Sequence, residues 1–75
     1  MAIVRKLERI DLQRDSNHSE VECTYSIVQG SGGQRFLQID TYGSADRQFR
    51  GKKSQSVRFS PEAIAQLREI LMREL

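Results

Sequence analysis

Residues 21–43 read VECTYSIVQGSGGQRFLQIDTYG, and the fold turns on how this stretch is read. Its first part alternates Val21, Cys23, Tyr25 and Ile27 with Glu22, Thr24, Ser26 and Val28. Its last part sets Leu37 and Ile39 against Phe36, Gln38, Asp40 and Tyr42. A period of two places successive side chains on opposite faces of a strand. The glycines of QGSGG lie between the two runs and reach the positive φ angles of a hairpin turn at little steric cost. This cluster lacks the Lys-Ser/Thr ending of a phosphate-binding loop and has strand patterns on both sides, so we read it as a turn.

Downstream, KSQSVRFS (residues 53–60) predicts a shorter strand, with Val57 and Phe59 on one face and Ser54, Ser56 and Arg58 on the other. A polar connection, GSADRQFRGKK, precedes it, flanked by Gly43 and Gly51. SPEAIAQLREILMREL (residues 60–75) predicts a helix. Ser60 suits the N-cap, Pro61 the first helical position and Glu62 the positive end of the dipole. Ile64, Leu67 and Leu71 recur at helical spacing with Ile70 beside them, while Gln66, Arg68, Glu69 and Arg73 fall elsewhere on the wheel. Gln66 is therefore expected to face solvent. Upstream, residues 2–14 place Ile3, Val4, Leu7 and Ile10 at a spacing that fits a helix as well as a strand. We read a strand there, because DSNHSE then forms a natural polar link to the next one.

The expected order is β-β-β-β-α, an α+β domain spanning residues 1–75. A single helix would cover one face of a twisted, antiparallel four-stranded sheet and bury Leu37, Ile39, Val57, Phe59 and the inward residues of the second strand, Cys23 included. The opposite face would carry Phe36, Gln38, Asp40, Tyr42, Ser54, Ser56 and Arg58. A chain of 75 residues buries only about 60% of its unfolded surface and has a thin core. Its single cysteine forms no intrachain disulfide, and one histidine with one cysteine is too few for a zinc site. A second subunit is the remaining supplement, so a homodimer is expected, with no metal and no cofactor. A buried, reduced Cys23 fits a reducing cytoplasm or nucleoid. No leader pattern and no long apolar run appears, so neither secretion nor a membrane span is expected.

The net charge of +2 hides its distribution. Residues 15–29 carry Asp15, Glu20 and Glu22 and no base, whereas residues 47–59 carry Arg47, Arg50, Lys52, Lys53 and Arg58 and no acid. Such asymmetry creates a local positive field and speaks to partners. Catalysis has little to work with: His18 lies in a polar link without a second histidine, and Asp40 shares a face with Arg58, which suits a structural ion pair. No enzyme is expected. Basic residues with interleaved aromatics suit single-stranded nucleic acid, because cations neutralise phosphates and aromatic faces stack on unpaired bases. Arg47, Arg50, Lys52, Lys53 and Arg58 would supply the charge, and Tyr42, Phe49 and Phe36 the platforms. The alternative is a solvated basic loop, with the aromatics buried in a dimer seam.

The run RFLQIDTYG…DRQFRGKKSQSVRFSPEAIAQL resembles the positive-cofactor-four family of transcriptional coactivators, structural relatives of the plant Whirly proteins. The matching residues are Tyr42, Gly51, Lys52, Lys53, Ser56, Pro61, Glu62, Gln66 and Leu67, in the C-terminal half of the chain. The resemblance implies a homodimer that binds single-stranded DNA across its sheet and hairpin loops. The chain departs from that pattern in its hairpin, QGSGGQRF, which keeps only Arg35 of the family's charge. Asp40 stands where the family has a basic residue, Gly43 where it has a stacking tryptophan, and the segment from Lys53 to Pro61 is longer. Binding would then rest on Arg35, Tyr42, Arg47, Phe49, Arg50, Lys52, Lys53 and Arg58. The expected role is a transcription- or DNA-maintenance-associated accessory protein that binds single-stranded DNA, or RNA, with little sequence preference. The alternative is a dimeric interaction module whose basic loop docks an acidic partner.

Overall fold

The hairpin forms where the alternation places it. In the structure, a computed structural model describing residues 1–43 and 53–75, strand β2 (Cys23–Gln29) pairs antiparallel with β3 (Arg35–Tyr42). A short 3-10 turn, Ser31–Gly33, joins them, and Gly30 N–H donates to the Gln34 carbonyl across 2.8 Å to close it. Gly32 and Gly33 adopt φ of 75° and 78°, the left-handed region that a Cβ disfavours. Gly30 is needed for another reason. A Cβ there would lie 2.8 Å from the Phe36 ring, so the absence of a side chain lets that ring pack down on the turn.

Strand β4 (Lys53–Phe59) pairs antiparallel with the other side of β3 and leads through Ser60 into helix α1 (Pro61–Glu74). Ser60 is fully buried, and its Oγ accepts from Ala63 N–H at 3.2 Å, the predicted cap. The four strands and the C-terminal helix agree with the expected order, but the sheet is mixed, not purely antiparallel. Strand β1 is only Ala2–Val4, and it runs parallel to β4, giving the order β1-β4-β3-β2. A parallel neighbour needs a long connection, and residues 5–22 supply one, carrying the chain from one edge of the sheet to the other. Only the first three residues of the predicted N-terminal strand enter the sheet. The segment after them runs beside α1.

That segment explains Gln66. Its side chain pairs with the Leu7 backbone as a strand would, accepting from Leu7 N–H at 2.9 Å and donating to Leu7 C=O at 3.2 Å. Arg9 adds a bond to Glu74 at 2.9 Å near the helix end. Gln66 is thus a clamp and not a solvent-facing residue, which corrects the reading from the helical wheel.

The partition of side chains between the two sheet faces follows the sequence pattern; the burial does not. Directly opposed pairs place Tyr25, Ile39 and Val57 on one face with Ile27, Leu37 and Phe59, and Ser26, Gln38 and Arg58 on the other with Thr24, Asp40 and Ser56. Of these, Gln38 and Asp40 are the buried ones, with Phe36, whereas Leu37, Ile39, Val57 and Phe59 are half-buried. Tyr25 is 76% exposed, Ile27 59%, and Cys23 is exposed instead of inward. Alternation names the face a residue points to, but not whether anything covers that face. Among the described residues, Phe36 and Ala63 are the buried apolar side chains. Helix α1 half-buries Ile64, Leu67 and Ile70 and leaves Leu71, Met72 and Leu75 exposed.

Candidate nucleic-acid interface

The polar face between β3 and β4 is a ladder of three opposed pairs: Gln38 with Arg58, Asp40 with Ser56, and Tyr42 with Lys53. The third pair depends on an irregularity. Thr41 opposes Gln55 and Tyr42 opposes Lys53, so Ser54 is an extra residue on β4. Without it, alternation would send Lys53 to the face of Gln55 and Val57. A bulge re-aims a side chain, and here it delivers the Lys53 ammonium to the polar face. There Lys53 Nζ lies 3.3 Å from Asp40 Oδ2.

Asp40 is 4% exposed and well supplied with donors. Ser56 Oγ donates to Oδ1 at 2.6 Å, and Gln38 Nε2 lies 3.2 Å from both carboxylate oxygens. The bond from Ser56, then those from Gln38 and Lys53, hold its pKa below the ordinary carboxylate value, against the opposing pull of desolvation. The donors outweigh the burial. Arg58 is held differently: its guanidinium donates Nε–H to Gln38 Oε1 at 3.0 Å, with a second bond from Nη2. The expected Asp40–Arg58 ion pair is therefore replaced by two contacts, Asp40 with Lys53 and Arg58 with Gln38. Among the described residues, then, Arg58 is held by a neutral amide and by no acid.

Tyr42 stands at the same end of the ladder, half-buried, with its hydroxyl 3.0 Å from Thr24 Oγ1 across the β2–β3 pair. Of the predicted site residues, the structure brings Lys53, Arg58 and Tyr42 together on this face. Arg35 sits apart, exposed at the start of β3 beside the hairpin turn. Phe36 is buried against Gly30 and offers no open ring face. Arg47, Phe49, Arg50 and Lys52 lie outside the described residues. Gln38 and Ser56 were seen from the sequence only as members of the outward face; their roles come from the register, which opposes them to Arg58 and Asp40.

His18 is exposed, with Nδ1 2.7 Å from the Ser16 carbonyl, as suits a loop residue. Among the described residues, no group of three His, Cys, Asp or Glu side chains could hold a metal ion, and no helix is long and apolar enough to cross a membrane. No protein-family model, curated protein or solved structure matches the chain.

Proposed function

We propose that this protein is a homodimer that binds single-stranded nucleic acid with little sequence preference, as an accessory protein of transcription or DNA maintenance. The observation that carries this reading is the polar face itself. Arg58 and Lys53 both reach this face from β4, with the Ser56 rung between them, Tyr42 stands opposite Lys53, and Arg47, Arg50 and Lys52 precede Lys53 in the chain. Cations along one strand suit a phosphate backbone, and a neighbouring ring suits an unstacked base. The resemblance of the C-terminal half to the positive-cofactor-four family supports the same reading.

The dimer is supported by surface. A compact monomer of this mass, 8.6 kDa, exposes ~4,700 Å², and this chain exposes 6919 Å². A stable interface takes about 800 Å² from each partner. The half-open apolar face of β2, β3 and β4 is a surface of the right chemistry for a second copy, and it leaves the polar ladder free on the opposite side.

Fluorescence anisotropy with labelled poly-dT and with a duplex of equal length, both at low salt, tests the reading. Single strand should bind more tightly, because a duplex hides its base faces. Equal binding would point to phosphate contact alone. Absence of binding to either would favour an acidic protein partner for the basic segment.

A further inference from the structure

Building on that reading, we infer that Gln38 and Asp40 are positioning residues of the polar face with opposite effects: Gln38 fixes Arg58 without adding a negative charge, while Asp40 occupies Lys53 and competes with phosphate for it. Both β3 residues are nearly solvent-free, yet each meets a β4 cation whose side chain reaches the surface. The two cations differ in what holds them. Gln38 Oε1 takes Arg58 Nε–H at 3.0 Å and contributes no charge, so it fixes the guanidinium without offsetting it. Asp40 Oδ2 lies 3.3 Å from the Lys53 ammonium and carries a full negative charge.

The arrangement is built and not incidental. The extra residue Ser54 is what turns Lys53 onto the Asp40 side of β4. Ser56 Oγ and Gln38 Nε2 then fix the carboxylate from two directions, so it cannot swing away when a strand arrives. A phosphate approaching Lys53 must replace Asp40 as its counterion, and a half-exposed ammonium allows that exchange at a cost in affinity. Lys53 therefore releases fewer counterions than a free lysine would, and the salt dependence of binding is flatter than the cation count suggests. Asp40 sets the strength of the site without touching the ligand.

Two neutralising variants, Asp40→Asn and Asp40→Ser, test this, with folding checked by circular dichroism and binding to poly-dT followed across a salt series. Either one should tighten binding by about 1.5-fold to fivefold at low salt, and steepen the slope of log affinity against log salt by about 0.7 as Lys53 becomes free. Asp40→Glu retains the charge and should stay near the parent slope. Glu22→Gln removes the same charge from the residue just before β2 without freeing Lys53, and should leave the slope unchanged. Gln38→Leu should weaken binding, because Arg58 loses its fixed place. An unchanged slope in the folded neutral variants, or an equal change in Glu22→Gln, would overturn the inference while the parent still binds. A parent that binds no single strand at low salt would overturn the underlying reading, and this inference with it.

Discussion

At the scale of single residues, several side chains act through geometry that no periodicity displays. Gln66 is one: it bonds both ways to the Leu7 backbone, while its neighbour Leu67 is half-buried in the apolar stripe. Gln66→Ala should cost about 1–2 kcal/mol for two lost hydrogen bonds, and Leu67→Ala, only partly enclosed, about 1–3 kcal/mol, below the range for a full core leucine. Comparable falls in melting midpoint are thus expected; a silent Gln66→Ala would show that the helix stands without its clamp. Titration gives a second prediction. Asp40 is held below its ordinary pKa, first by Ser56, and Glu62 is held down by its own backbone N–H and by Ser60. A carboxylate whose folded pKa is depressed stabilises the fold above its unfolded value, about 4. That stability is lost as pH falls through the folded value. The melting midpoint should therefore be flat from neutral pH to about 5 and fall below about 4, with a shallower fall in Asp40→Asn. A midpoint that rises on acidification would contradict the assignment.

At the scale of elements, the hairpin and the helix were legible because their signals are local. Alternation, a glycine cluster and Ser60-Pro61-Glu62 each act within a few residues, and each structure forms there. The first strand was not legible in the same way. Which edge a three-residue strand joins, and in which direction, depends on the path of residues 5–22, and local pattern carries no record of it. The Lys53–Asp40 contact was hidden for a related reason: one extra residue, Ser54, reverses the face on which Lys53 falls. Burial of Gln38 and Asp40 went unread because alternation favours apolar residues as the inward ones. The turn offers a sharp test of element geometry. Gly30→Ala should displace the Phe36 ring and cost about 1–3 kcal/mol by overpacking. Gly32→Ala meets no neighbouring atom and is penalised only by its positive φ. Recovery of the Gly30→Ala loss by Phe36→Leu, but no recovery of Gly32→Ala, would separate the two causes; recovery of neither would mean that the ring does not rest on the turn.

At the scale of the whole molecule, the chain is thin and open. It measures 37 × 36 × 19 Å, and its radius of gyration is 14.5 Å, where a compact chain of this length has ~11.3 Å. The long link after β1 accounts for part of that spread, and the half-covered apolar sheet face adds exposed surface. Both favour association. Light scattering at micromolar concentration should give twice the 8.6 kDa chain mass, and Tyr25→Lys with Ile27→Lys should shift it toward monomer; a parent that stays monomeric and cooperative on dilution would remove the second subunit from the account. The central claim is that the β3–β4 polar face meets a phosphate backbone through Arg58, the cation that Gln38 fixes without adding a negative charge. Its most direct test is the affinity for poly-dT across a salt series, parent against Arg58→Ala. The account predicts a linear fall of log affinity with log salt in the parent, and in Arg58→Ala weaker binding with a slope flatter by about 0.7. An Arg58→Ala protein that is folded and binds with the parent's affinity and slope would contradict it.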